Sequence, residues 1–150
     1  MIEFGHTTDR KPPFRYAAYE RVQFSDTDAQ GVVYYGRYNP YFDLARGEWL
    51  RSLGLLHRGN GDTEFVMRAN DVEYFAPARF DDEIEVDVRI SRIGTSSVTY
   101  EFAAYLRGEV PAAKASQTVV LVDLVKHEPC RVPDSWREKI REIEGDDLEA

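Results

Sequence analysis

Residues 22–54 read VQFSDTDAQGVVYYGRYNPYFDLARGEWLRSLG, and this stretch decides the fold. Its second half holds the chain's one long helix-period pattern: Tyr38, Tyr41, Phe42, Ala45, Trp49, Leu53 and Leu56 recur at three- and four-residue steps and share a face. Leu44 and Leu50 widen that stripe, so the spacing predicts a helix more deeply embedded than a surface helix. Pro40 lacks an N–H and clashes inside a helix, which places the regular start between Tyr35 and Asn39. Gly47 costs about 1 kcal/mol relative to Ala at mid-helix, and close approach of a neighbouring backbone is the expected return. Gly54 is placed to end the helix as a left-handed cap. Ahead of the helix, residues 25–31 read as a turn rich in Asp, Ser and Gly, and residues 18–24 alternate as a strand with Glu20, Val22 and Phe24 on one face.

Downstream the period changes to two. Residues 65–74 read as a strand with imperfect alternation, consistent with a bulge, and residues 77–82 turn the chain. Ile84, Val86, Val88 and Ile90 alternate with Glu85, Asp87, Arg89 and Ser91, as a half-buried strand does. Val98, Tyr100 and Phe102 continue the pattern to Leu106, and residues 114–125 form a last long strand, apolar on both faces at its middle. DSWREKIREIE (134–144) is a short amphipathic helix with Asp134 as its N-cap and Trp136, Ile140 and Ile143 as its apolar edge. A strand, a long helix and then strands joined by short turns give an α+β class: an antiparallel sheet wrapped on one central helix. Residues 1–17 are expected as an extended N-terminal arm of low order, 18–145 as the single domain and 146–150 as an acidic tail.

A chain of 150 residues has the size of one domain and needs no metal or disulfide to hold its core. The 27 acidic residues against 19 basic ones, a net charge of -8, argue against nucleic acid, whose phosphates are neutralised by Lys and Arg. Cys130 is the lone cysteine, so neither an internal disulfide nor a thiolate zinc cluster can form, and a reducing cytoplasm is the expected location. No apolar run has signal-peptide or membrane-span length, so no membrane partner is expected.

The usual chemical motifs are missing. No GxSxG elbow occurs, the loop at 55–64 with Gly59 and Gly61 has no phosphate-cradle spacing, and His6, His57 and His127 are scattered without metal-ligand spacing. What remains is the turn SDTDAQGVVYYGRY, residues 25–38, with carboxylates at Asp26 and Asp28 beside a helix N-terminus. Such a carboxylate is held by the helix dipole, and the free N–H groups of the first turn can receive a developing oxyanion. Acid–base or nucleophilic work on a carbonyl suits this arrangement, although Asp residues also cap turns for purely structural reasons.

DTDAQGVVYYGRYNPYFDLAR (26–46) resembles the signature of the 4-hydroxybenzoyl-CoA thioesterase family of the hot-dog fold, including its Tol-Pal-associated acyl-CoA thioesterase branch. VEYFAPARFDDEIEV (72–86) and the strand order extend the likeness over residues 19–125. The resemblance implies a hydrolase splitting an acyl-CoA thioester into a carboxylic acid and CoA, with no cofactor beyond the CoA of the substrate. It also implies a homodimer with sites between subunits, often doubled to a homotetramer. By the same likeness Asp28 is the carboxylate, acting as nucleophile or as general base, and Tyr35 gives its backbone N–H to the thioester oxygen. Gly31 and Val33 shape the approach to that donor, and Asp26 is left as a structural group. Tyr34 and Tyr38 could line an acyl pocket. Arg89 and Arg92, with Thr95 and Ser96, are the candidates for the CoA end.

Two departures from the family stand out. The Tol-Pal branch carries His where this chain has Tyr35, and the turn Ile93–Gly94–Thr95–Ser96 lacks the consecutive basic residues that some relatives place against nucleotide phosphates. A non-catalytic acyl-CoA binder, and a hydratase or dehydratase on enoyl or 3-hydroxyacyl thioesters, are the rival readings. The second needs a positioned His with an acid partner. Glu48, on the polar flank near Arg46 and Arg51, is expected to be ion-paired rather than catalytic.

Overall fold

A computed structural model describes residues 2–56 and 61–149; His57 and Gly59 lie outside the described residues. In chain order the elements are β1 (Gly5–Thr7), β2 (Tyr16–Arg21), α1 (Tyr38–Ser52), β3 (Thr63–Tyr74), β4 (Glu83–Ile93), β5 (Ser97–Leu106), β6 (Val110–Asp123), β7 (Glu128–Pro129) and α2 (Asp134–Glu144). The strands make one sheet in the order β1-β2-β4-β5-β6-β3, with β7 on the end of β6 and every pairing antiparallel. This is the hot-dog arrangement.

Helix α1 lies in the concave face of the sheet. Phe42 stacks on Phe102 at 5.0 Å between centroids, and Trp49 meets Tyr100 edge-on at 6.5 Å. Tyr38, Tyr41, Phe42, Ala45, Trp49 and Leu50 are all buried, each large side chain contributing about 1.5–3 kcal/mol by burial. Pro40 is the third residue of α1, inside the first turn where its missing N–H costs nothing. Gly54 takes φ +72° just past the helix. The bulge expected in β3 falls between Met67 and Ala69.

Four expectations change. The N-terminal arm is not loose: residues 5–7 add β1 to the sheet edge, and Tyr16 and Ala17 are buried in β2. The strand placed at 18–24 ends at Arg21, and Phe24 is exposed in a single 3₁₀ turn. Asp134 is the first helical residue of α2 rather than its cap, and its carboxylate accepts from Arg131 at 3.1 Å. Gly47 has no neighbouring backbone, because a Cβ built on it meets nothing within 4 Å.

The outer face of β4 is also not solvated. Glu85, Asp87, Arg89 and Ser91 are buried under both chain ends. Arg10 and Lys11 bind Glu85, Lys11 at 2.6 Å. Arg15 reaches Glu144 at 2.8 Å and Asp147 at 2.6 Å. Beyond the end of β2, Glu144 accepts the Ile90 N–H at 2.8 Å and Glu149 donates its N–H to Ser91 at 2.7 Å, so the acidic tail caps the open edge of β4.

Candidate active site

The turn before α1 is a miniature hairpin. Thr27 bridges to Val33, the Asp28 N–H donates to the Val32 carbonyl at 2.9 Å, and the Gly31 N–H donates to the Asp28 carbonyl at 3.0 Å to close the loop. Gly31 sits at φ +79°, a left-handed position that favours glycine. The Asp28 side chain is exposed at this tip; its Oδ1 accepts the Gln30 N–H at 2.8 Å, and Oδ2 has no donor among the described residues.

Asp26 holds this hairpin to the helix. It is 3% exposed. Its Oδ2 accepts the Gln23 N–H at 2.9 Å and the Tyr41 hydroxyl at 2.8 Å, while Oδ1 takes two guanidinium nitrogens of Arg37 at 3.0 and 2.9 Å. Its carbonyl accepts the Tyr34 N–H at 2.9 Å. Burial alone would raise the Asp26 carboxyl, but the Gln23 N–H, the Tyr41 hydroxyl and the Arg37 guanidinium together hold it below the usual range. Burial, then the bond to Asp26, pushes the Tyr41 phenol far upward, so this hydroxyl is a fixed donor. The structural role expected of Asp26 is thus what the geometry gives.

A single 3₁₀ turn, Tyr35–Arg37, then leads into α1. The N–H groups of Tyr35 and Gly36 find no acceptor among the described residues, as first-turn donors do not. The Val33 N–H, by contrast, is consumed by the Ala78 carbonyl at 2.8 Å and is not a free donor. Tyr35 is 67% exposed, and its ring lies 5.1 Å from that of Tyr74. The Tyr74 hydroxyl donates to the Tyr35 carbonyl at 3.4 Å. Tyr35, the buried Tyr38 and Tyr74 line a cleft of about 260 Å³ with Val32 and residues 75–77 at the end of β3. Burial pushes the Tyr38 phenol up to about 12, so it remains neutral. Tyr34 is exposed beside this cleft, its ring 6.2 Å from that of Tyr35.

The residues set aside for the CoA end lie elsewhere. Asp28 sits where β4 begins, since Val32 bridges to Arg79 and the Val22 N–H donates to Asp82; the turn at 94–96 follows the far end of β4. A strand of this length separates the two by about 35 Å. Arg89 is buried and committed, its Nε to Glu101 at 2.9 Å and its Nη1 to the Asp147 carbonyl at 3.0 Å. Its alternation in β4 read as solvated only because nothing local announces the chain ends that cover it. Arg92 and Thr95 are exposed, Ser96 is half-buried, and Arg137 of α2 fixes that turn by donating to the Gly94 and Thr95 carbonyls at 2.6 and 2.8 Å. Glu48 pairs with Arg51 at 2.8 Å. Two positioning residues escaped the sequence reading: Arg37, whose acidic partner is eleven residues away, and Tyr74, which resembles any strand aromatic. Neither His6, bonded to Tyr19 at 3.0 Å in β1, nor His127, in the turn after β6, lies at this cleft. No group of three or more metal-ligating side chains occurs among the described residues.

Residues 22–140 match the model of the thioesterase-like superfamily. This chain belongs to that superfamily. Within it, the acyl-CoA thioesterase YbgC of Haemophilus influenzae is 33% identical over 116 residues, covering 75% of this chain and 85% of that protein. A probable thioesterase of known structure from Bartonella henselae is 32% identical, covers 78% of this chain and 98% of its own, and superposes with a TM-score of 0.70. The 1,4-dihydroxy-2-naphthoyl-CoA thioesterase of Synechocystis, at 23% identity, covers 83% of this chain and 93% of its own with a TM-score of 0.77, a likeness of fold. The superfamily match begins at Val22, at the foot of the hairpin, and includes the whole of α1.

Proposed function

We propose that this chain is an acyl-CoA thioesterase in which Asp28 attacks, or directs water onto, the thioester carbonyl while the Tyr35 N–H receives the oxyanion. The observation that carries the reading is the clamp made by Asp26: one buried carboxylate ties Gln23 just past β2, Arg37 at the helix start and the α1 residue Tyr41 together. The exposed Asp28 carboxylate and the unbonded first-turn N–H groups therefore belong to one rigid unit, as electrostatic preorganisation requires. The chemistry is acyl transfer to water: the carboxylate forms the new bond itself or removes a proton from water, the C–S bond breaks, and CoA leaves as thiol.

The site is completed by a second copy of the chain. The free edge of β3 carries twelve residues, with Val66 and Met67 exposed on it, a long edge of the kind proteins cover. Pairing two β3 strands antiparallel makes a homodimer. It also brings the 94–96 turn of one copy, with Arg92, toward the Asp28 end of the other, which no single chain can do across about 35 Å. A homotetramer doubles this unit, and the CoA thioester is the only cofactor-like group involved. The test is Asp28→Asn assayed over aliphatic and aromatic acyl-CoA substrates with free thiol as readout. Hydrolysis falls by orders of magnitude with unfolding and CoA binding unchanged. Near wild-type turnover in the variant removes Asp28 from the mechanism.

A further inference from the structure

Resting on that reading, we infer that Gly47 opens an apolar recess which receives the acyl tail of a thioester held at Asp28 of the other copy, and that Gly47 sets the tail length accepted. A recess of about 310 Å³ lies between α1, β3 and α2, floored by Leu50, Phe65, Tyr100, Val119 and Trp136, with Gly47 in its wall. Its volume is within the range of small-ligand pockets. Glycine is a poor choice at mid-helix, and its ordinary excuse fails here, because a side chain at Gly47 would touch nothing within 4 Å. The glycine keeps space open. Arg46 and Asp43 stand at the rim, the guanidinium held by Gln117 at 3.0 Å and laid over the Tyr100 ring at 5.2 Å. Glu64 also lines the recess, and its apolar floor suits a hydrocarbon tail or ring.

The tail comes from the other copy for two reasons. Within one chain the seam between α1 and β3 is crossed by a hydrogen bond from Asn70 to Asn39 at 2.9 Å, backed by one from Gln117 to Asn70 at 3.2 Å. These stand between the cleft at Tyr74 and the recess at Met67 and Phe65. Antiparallel pairing of two β3 strands, in contrast, sets the Tyr74 end of one beside the Thr63 end of the other, so the Tyr74 cleft of each copy is brought toward the partner's recess.

The experiment compares Gly47→Leu, and Gly47→Met as a more adaptable filler, with wild type over saturated acyl-CoA chains from two to sixteen carbons. Filling the recess lowers kcat/KM at least tenfold for long chains and leaves the shortest within twofold. Dimers co-expressed from a Gly47→Leu chain and an Asp28→Asn chain, purified on two tags, recover long-chain hydrolysis, because an intact Asp28 then faces an open recess across the interface. If the fillers affect all lengths equally or none, the recess is not the tail site. If the mixed dimers stay inactive on long chains, the tail does not cross between copies. A wild type inert to every acyl-CoA overturns the thioesterase reading itself, and this inference with it.

Discussion

Asp87 is expected to weaken the fold, and replacing it should strengthen it. Its side chain is fully buried in β4, both carboxylate oxygens lack a donor among the described residues, and Ala17 and Ala103 flank it in register on the neighbouring strands. Burial first, and Glu85 two residues away second, push its carboxyl from 3.8 up to about 8. The folded chain therefore keeps a proton that the unfolded chain has lost. At about 1.36 kcal/mol per tenfold in proton activity, the ceiling on that cost at pH 7 is about 4 kcal/mol. Glu85 offsets part of it: burial would raise this carboxyl too, but Lys11, Asp87 and Arg10 hold it below its usual range. Asp87→Asn keeps the shape, offers an N–H toward Glu85 and should stabilise by about 1–3 kcal/mol at pH 7. The sign of the pH dependence follows. Between the unfolded value near 4 and the folded value near 8 the native state binds the extra proton, so the Asp87 contribution falls as pH rises through that window and levels off above it. Urea unfolding from pH 4 to 9 on both proteins measures this; the variant loses that downward slope. Parallel curves, or a variant less stable at pH 8, would refute the reasoning.

Asp26→Ala strips the clamp and leaves the Tyr41 hydroxyl without its acceptor, so it should cost about 1–3 kcal/mol in denaturant unfolding and also lower thioester hydrolysis. Asp28→Asn separates the two effects by leaving stability unchanged. The Asp26 carboxyl is depressed, so its contribution is present above the unfolded value and is lost as pH falls through the lower folded one; acid unfolding of Asp26→Asn should lack that component. Gly54→Ala, at φ +72°, should destabilise by about 1 kcal/mol, read as a lower thermal midpoint with unchanged activity.

Much of this protein was legible in its residues because the signals are local. The three- and four-residue period from Tyr38 to Leu56, Pro40 near the helix start, Gly54 at its end and the two-residue alternation of β4 and β5 each report on a few neighbouring side chains, and the run around Asp28 is distinctive enough to carry a resemblance. Local chemistry left Asp26 and Asp28 alike as turn residues; only the resemblance singled out Asp28, and only the structure showed Asp26 buried and Asp28 exposed. Tertiary structure decided everything that depends on segments far apart in the chain. The period of β4 cannot say that its outer face is covered, since Arg10, Lys11, Arg15 and Glu144 arrive from the two termini. It cannot say that Arg89 is committed, nor that Arg37 and Tyr74 brace the helix start. Gly47 shows the division most plainly: helix propensity marks it as a cost, and only the packing of α1 against β3 and α2 shows that the cost leaves a space rather than a contact.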